Sequence, residues 1–428
     1  MKKRKQKHNQ QQSQKISFAQ HKNEFFRRLE NMFKTLNVHD VFLLIPRNFL
    51  EIIYDMRVHP VRIEAAPGAD IPPRLIENTK TIIHQILTQR SVTIDEDSQI
   101  TMTLGVFYTI FASVALAKRI IDDNQLDFPN AKIISERLQS YSDILTNHPE
   151  ASFQFMAMMH VQSCIESNLC ATMYWCSFET VGNIKGRNGN FRYLYIHSHN
   201  PEKKHITLFN QSRPVIRVGW GEFETIVRYD ALSLTAEQLQ LDSSFKNIKF
   251  SVYIQSHALQ RMVERLDGIP EGHLHSFLYD SIKLEFNMQR DKHGGFLLDM
   301  CILGHKVGYL LADIVDTDLV IRTFLFITNA GTPEGEKLFK LTGLAIEDTK
   351  YLEINKLSTF FDSDIDSNEK VKEIFINAGC ESLFKLNKIM LHDLKTFKPK
   401  PTAELILKYL GLSEKEEECG EVEEEVED

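Results

Sequence analysis

At 428 residues the chain exceeds what one hydrophobic core usually serves, which favours two or three domains. Apolar residues make up 43% and charged residues 25%, ordinary globular usage that excludes a wholly disordered or fibrous chain. The formal net charge of −8 excludes wholesale electrostatic binding of nucleic acid and leaves only a local basic patch for that purpose.

That charge is unevenly spread. Residues 1–15 carry six Lys or Arg and no acid, whereas 413–428 carry ten Asp or Glu against Lys415. Both ends, a basic 1–17 and an acidic 412–428, therefore read as solvated tails around a mildly acidic body. No apolar segment backs the basic start, which argues against a secretory signal. Six cysteines, none in a CxxC pair, suit reduced and buried thiols in a cytoplasmic protein. Cys164, Cys170 and Cys176 recur at a spacing that is neither a helical face nor a ligand set, so burial is expected of them.

From Phe18 to about Phe178 the pattern is helical. Phe25, Phe26, Leu29, Met32, Phe33 and Leu36 recur three and four residues apart and predict one packed face. Pro60 to Pro73 reads as a loop, and helices resume over Ile76–Leu87, Leu104–Ile121, Ala131–Leu145 and Ala151–Trp175. The most apolar run, Leu104–Leu116, is about 13 residues long, short of the roughly 20 that a bilayer span requires, so it reads as a buried helix and no membrane partner is expected. The Met-rich stretch Phe155–His160 reads as core filling.

Near Gly182 the texture changes. Asn183–Asn190 is turn chemistry, Phe191–His197 and His205–Phe209 read as the strands of a hairpin, and Val215–Val218 as a third strand. His197, His199 and His205 have the alternation of a metal face, yet no carboxylate set completes it, and neither metal nor cofactor is expected. A short helix at Leu234–Leu241 precedes a strand at Ile248–Ile254. Two helices follow, at 256–265 and near 272–281, and then three strands, Gly295–Leu303, Lys306–Val315 and Leu319–Thr328, joined tightly enough to form an antiparallel meander. Thr332 as N-cap, Pro333 at the first helical position and Gly343 past the end delimit the next helix, and 366–411 is helical again. The expected architecture is α+β: a helical domain at 18–182, a central antiparallel sheet domain with flanking helices at 183–345, and a helical C-terminal region at 346–411.

The chemistry gathers on Ser256–Arg265. Ala258, Leu259, Met262, Val263 and Leu266 fall on one side of this amphipathic helix, and His257, Arg261 and Arg265 cluster beside it. With Ser256 as the cap, His257 sits at the positive end of the helix, where the dipole favours a neutral base. Arg261 and Arg265 follow one and two turns on, suited to bidentate contact with a phosphate. Metal-free RNA cleavage needs a base, cations for the charge that builds, and an acid for the leaving oxygen, so these three are the catalytic candidates. His293 and His305 in the strand turns, and Arg322 on the last strand, are the nucleic-acid-binding candidates. Glu264 lies three residues from Arg261 and beside Arg265, so the same face also reads as a surface ion-pair lattice. Asn329–Gly335 lacks the Lys-Ser or Lys-Thr of a P-loop and reads as a plain strand-to-helix connection.

The pattern His257-Ala258-x-x-Arg261-Met262-x-x-Arg265 ahead of an antiparallel sheet, within Ile248–Thr328, resembles a bacterial toxin-like family of uncharacterised small proteins. That family is similar to the RelE and ParE toxin fold, whose ribonuclease members cut RNA without a metal. The resemblance covers about 80 residues and implies a metal-independent, ribonuclease-like activity on RNA at His257, Arg261 and Arg265; the helical flanks, outside the resemblance, are expected to supply control or a protein partner. On the residues alone, two alternatives stay open: a non-enzymatic protein-interaction or nucleic-acid-binding module, and a DNA-directed defence or mobile-element factor.

Overall fold

The computed structural model describes residues 18–95, 100–123, 128–141, 163–169, 171–184, 187–223, 227–386 and 401–410. Both tails, the Met-rich Phe155–His160 and most of the helix expected at Ala151–Trp175 lie outside the described residues. Helices and several sheets occupy separate stretches, so the protein is α+β. The chain divides into two compact units, one drawn from 1–160 and 176–197, the other from 161–175 and 198–428. The boundary expected at 182 and 183 thus falls inside the first unit, and the C-terminal helices belong with the sheet rather than forming a region of their own.

In the first unit, α1 (Phe18–Thr35), α2 (His39–Leu44), α3 (Arg47–Asp55), α4 (Pro73–Gln89), α5 (Leu104–Asp122) and α6 (Ala131–Arg137) carry most of the core. The stripe Phe25, Phe26, Leu29, Met32, Phe33 and Leu36 is buried as its spacing predicts, against Val41, Phe49, Ile53, Tyr54, Phe107 and Phe111. Each such side chain contributes roughly 1.5–3 kcal/mol by leaving water. By length and composition α5 would suffice to cross a membrane, but 69% of its most apolar stretch is buried inside the protein, as a core helix would be. Within α5 the residues Phe107–Phe111 form a π-helical turn.

This unit is not purely helical. β1 (Arg62–Ala65), β2 (Ser91–Asp95) and β3 (Ile100–Thr103) interrupt the helices, and β4 (Met173–Ile184) lies partly where a helix to Trp175 is expected. β5 (Arg187–His199) is the centre of a three-stranded sheet, with β1 parallel on one side and β4 on the other. Four residues are too few for a period-two signal, so β1 is a strand because β5 offers it a partner. The hairpin expected between Phe191–His197 and His205–Phe209 is therefore absent, since β5 pairs within the first unit.

The second unit holds β6 (Lys203–Leu208), β7 (Gln211–Arg217), the hairpin β8 (Gly219–Phe223) and β9 (Val227–Ala231), then β10 (Ser233–Thr235), β11 (Lys249–Gln255), β12 (Met288–Arg290), β13 (Phe296–Ile302), β14 (His305–Val315) and β15 (Asp318–Phe326). Eight of these form one sheet in the order β12-β13-β14-β15-β11-β7-β6, with β10 also on β11. Every pairing is antiparallel except β11 with β15, whose crossover passes through α7 (Ser256–Arg265) and α8 (Glu271–Lys283). The meander β13-β14-β15 is as expected, whereas Leu234 belongs to a strand opposite Phe250 rather than to a helix.

One face of the sheet is covered. Leu298, Met300, Leu310, Ala312, Leu319 and Ile321 meet Ala258, Leu259 and Met262 of α7 and Leu274, Leu278 and Ile282 of α8 in one core. α9 (Pro333–Thr342) starts as its sequence predicts, with the Thr332 hydroxyl accepting the Gly335 N–H at 2.9 Å and Gly343 closing the other end at φ +69°. α10 (Ile346–Tyr351), α11 (Ser358–Asp362), α12 (Glu369–Ala378), α13 (Ser382–Lys385) and α14 (Ala403–Tyr409) extend the same core through Leu352, Phe360, Phe375, Leu383 and Ile406. Side chains alternate along a strand, so Leu297, Leu311, Arg322 and Leu325 are left on the other face, where two clefts form.

Candidate functional site

The α7 motif folds as an amphipathic helix but does not build a cavity. Ser256 is its first helical residue, and Gln255 holds the cap position without a side-chain bond, so Ser256 does not cap the helix. Ala258, Leu259 and Met262 are buried as expected, while His257 points to solvent. The Arg261 guanidinium meets Glu264 at 2.6 Å on the surface. Arg265 is turned inward and donates to the backbone carbonyl of Phe324 on β15. Burial draws its pKa down, the Arg261 charge adds to that, and Glu264 opposes it. The three side chains diverge, one to water, one to an ion pair and one to the sheet. The clefts described below, and those of the first unit near Arg57 and Asn188, take no wall from any of them. His305 sits across the β13–β14 turn from Ile302 and likewise borders no such cleft.

His293 and Arg322, by contrast, meet. They line a cleft of about 420 Å³ on the open sheet face, floored by Leu297, Leu311 and Leu325 and walled by the start of α9. A second cleft of about 280 Å³ lies on the other side of Arg322, between the β6–β7 turn and Gln255 and Thr323. The pairing explains why Arg322 serves both. Ala312 faces Ile321 and Leu311 faces Thr323, so Arg322 is the extra residue of a β-bulge, a device that re-aims a side chain. Its Nε lies 2.7 Å from Asp313 Oδ2, and its guanidinium carbon stands 5.5 Å from the centre of the Phe209 ring.

Phe209 is itself unusual. It is 74% exposed and sits at φ +48°, followed by Asn210 at φ +60°. Two positive φ values make the two-residue turn that suits a twisted hairpin, but a bulky side chain in that region is strained and would ordinarily be replaced by Asn or Gly. The rim opposite is also built in advance. Asp291 Oδ1 accepts the N–H groups of His293 at 2.8 Å and Gly295 at 2.6 Å, and Arg290 lies 3.9 Å over the Phe296 ring while donating to the Gly294 carbonyl. Across the two clefts, Arg213, Arg290, Lys292 and Arg322 stand against the carboxylates of Asp291 and Glu336 and that of Asp313 on Arg322, which leaves the surface with a small cationic excess. The N-terminus of α9 is not a vacant phosphate cradle. Glu336 accepts the Gly331 N–H at 3.2 Å and pairs with Lys292 at 3.5 Å, so the helix satisfies its own end.

Arg213, Arg290, Lys292 and Phe209 escaped the sequence reading. The signals were present: Arg290-Asp291-Lys292-His293 is a cationic turn, and Phe209-Asn210 is an aromatic tight turn. The three histidines that alternate near 200 do not assemble. His197 shares a hydrogen bond with Ser177 at 2.7 Å, His199 stacks on Tyr229 at 3.6 Å, and His205 is exposed on β6. Among the described residues no group of His, Cys, Asp and Glu suits a metal ion. Cys164, Cys176 and Cys380 are buried thiols outside any disulfide, and burial pushes the Cys380 and Cys301 thiols up to about 12, away from reactivity.

Compared with known proteins, the chain matches no family model, no curated protein and no solved structure. Its likeness to the toxin-like family rests on the α7 motif residues alone.

Proposed function

We propose that this protein binds single-stranded nucleic acid, RNA in the first place, across the open sheet face of its second unit. One observation carries the reading: Arg322, re-aimed by a bulge, stands between two clefts with the exposed Phe209 ring on one side and the Arg290–His293 turn on the other. Unpaired bases stack on aromatic rings and on guanidinium planes, and the phosphates between them need cations at intervals. Duplex recognition is less well served, because no helix presents a basic face into these clefts. Among the described residues that line the two clefts His293 is the only imidazole, and Asp291 beside it is tied to backbone N–H groups. A base and an acid placed on either side of a phosphate are thus lacking in the clefts, which favours binding over cleavage.

Fluorescence anisotropy with a labelled 12-nucleotide RNA tests this, on the full chain at low and at physiological salt. Phe209→Ala and Arg322→Ala are each expected to weaken binding by about tenfold with the fold intact, the size of one lost stacking or charged contact. Absence of binding at low salt, or affinities unchanged in both variants, would falsify the reading. Incubating the same RNA with chelator decides the ribonuclease alternative. Cleavage lost in His293→Ala makes the cleft catalytic, and cleavage lost in His257→Ala returns the activity to α7.

A further inference from the structure

The first unit contains a cavity of about 730 Å³ lined by described residues, and nothing in the nucleic-acid reading uses it. One wall is a single stripe of α1, His21, Glu24, Phe25 and Arg28, spaced three and four residues apart. Another is the segment after α3, with Arg57 and His59, and a third is Thr109 and Ile110, which lie in the π-helical turn of α5. Such turns are uncommon and concentrate at functional sites, because the extra residue in the turn displaces the backbone locally.

The cavity has two chemistries. Phe25, Tyr54, Val58 and Ile110 are buried behind it and make an apolar floor, with Phe25 edge-on to Tyr54 at 5.4 Å. Arg28, Arg57, His21 and His59 stand at its walls. Two acids share the walls and offset part of this charge, Asp55 acting on Arg57 and Glu24 on Arg28. Glu24 is taken by Arg27 through bonds of 2.9 and 3.1 Å, and Asp55 forms no ion pair with Arg57 among the described residues. Arg57 is held in place instead, its Nη1 donating to the Tyr54 carbonyl at 2.6 Å and its guanidinium lying 3.9 Å from the Tyr54 ring centre. Burial draws the Arg57 pKa down, the mark of a cation without full compensation.

The wall that carries Arg57 and His59 is rigid. The His59 N–H donates to the Asn190 carbonyl at 2.9 Å, the Asn190 N–H to the Arg57 carbonyl at 2.9 Å, and the Asn190 side chain to the Met56 carbonyl at 2.8 Å. The His59 ring is fixed twice, by the Asn188 carbonyl at 3.1 Å and by Phe191, parallel at 4.1 Å. Gly189 allows this closure. At φ +125° its missing Cβ would lie 2.7 Å from His59 Nε2 and 2.8 Å from the Arg57 carbonyl.

We infer that this cavity is a binding site for a small phosphomonoester with a flat apolar body, such as a nucleoside monophosphate. The phosphate meets Arg57 and Arg28 beside the His59 ring, and the body lies on Phe25, Tyr54, Val58 and Ile110. A doubly charged phosphate answers two guanidinium groups better than a carboxylate does, because it offers more acceptor oxygens to planar donors. The volume falls within the roughly 300–1,000 Å³ of small-molecule sites.

Isothermal titration calorimetry on the full chain tests the site, with adenosine 5′-monophosphate, adenosine and inorganic phosphate as probes. The monophosphate is expected to bind, with adenosine and inorganic phosphate each at least about tenfold weaker. Arg57→Gln is expected to weaken the monophosphate about tenfold or more, and Arg28→Ala by several-fold. Arg28 is exposed on α1, so that variant decides the matter if Arg57→Gln fails to fold. The proposal is overturned by no heat with the monophosphate at millimolar concentration, by adenosine or inorganic phosphate binding as tightly as the monophosphate, or by wild-type affinity in Arg28→Ala. Binding that persists in Arg57→Gln but disappears in Arg322→Ala also overturns it, since the nucleotide then sits in the sheet clefts of the second unit.

Discussion

Arg265 of α7 donates to the backbone carbonyl of Phe324 on β15, joining the helix to the sheet it covers. The next segment is tied to the same residue, because the Arg265 carbonyl accepts the Leu357 N–H at 2.7 Å. The helix end is thus a structural junction. Replacing Arg265 by Ala leaves the Phe324 carbonyl without this charged donor and is expected to lower stability by about 2 kcal/mol. His257→Ala, at an exposed site, is expected to stay within about 0.5 kcal/mol. Urea unfolding measures both, and an Arg265→Ala variant as stable as the wild type contradicts the junction.

Asp313 offsets the charge of Arg322 from 2.7 Å. If Arg322 meets phosphate, Arg322→Ala should lower the slope of log affinity against log salt by about one, the signature of one lost phosphate contact. Asp313→Asn should raise RNA affinity at low salt by a few-fold, because the guanidinium then has no competing carboxylate. An unchanged slope in Arg322→Ala would place its contribution elsewhere.

The buried Tyr309 phenol donates to Glu334 at 2.9–3.0 Å and accepts from Lys306 at 2.8 Å, while Lys306 meets Glu334 at 2.7 Å. This triad locks the start of α9 to β14. Lys306→Met leaves a largely buried carboxylate without its cation and is expected to cost about 3 kcal/mol, more than the roughly 1 kcal/mol of Tyr309→Phe, which removes only hydrogen bonds. Equal losses in thermal unfolding would show that the charge pair contributes nothing beyond its hydrogen bonds.

Acid should weaken the second unit through His275. Burial holds its pKa down to about 4, against the hydrogen bond its ring makes to the Leu169 carbonyl at 3.1 Å. The unfolded chain takes up this proton near the ordinary histidine pKa of about 6.5 and the folded chain only near 4. Stability from this group is therefore full above about pH 6.5 and is lost as the pH falls toward 4, by about 3 kcal/mol in all. His275→Gln should flatten the difference in urea midpoint between pH 7 and pH 4.5. A loss of the same size in the variant assigns the acid sensitivity to other groups.

Much of the second unit was legible in advance. The alternation of Ile248–Ile254, the meander from Gly295 to Thr328 and the Thr332, Pro333 and Gly343 signals all act within a few residues, and each is found where expected. In the first unit Phe191–His197 was legible as part of β5, but β1 was not, because it owes its conformation to β5, far away along the chain. The candidate site divides the same way. His293 and Arg322 were singled out separately, but a cleft shared by them exists only because β12, β13, β14 and β15 lie side by side and a bulge turns Arg322 outward.

What the sequence by itself determined is which side of each element is apolar: α1 buries its phenylalanine stripe and α7 its Ala258, Leu259 and Met262, because side-chain direction follows backbone period. What only the tertiary structure decided is where the polar remainder points. The His257, Arg261 and Arg265 face spread apart since Arg265 had the Phe324 carbonyl within reach, and the cations of the open sheet face converged since strand order, a non-local property, brought four separate segments to one surface.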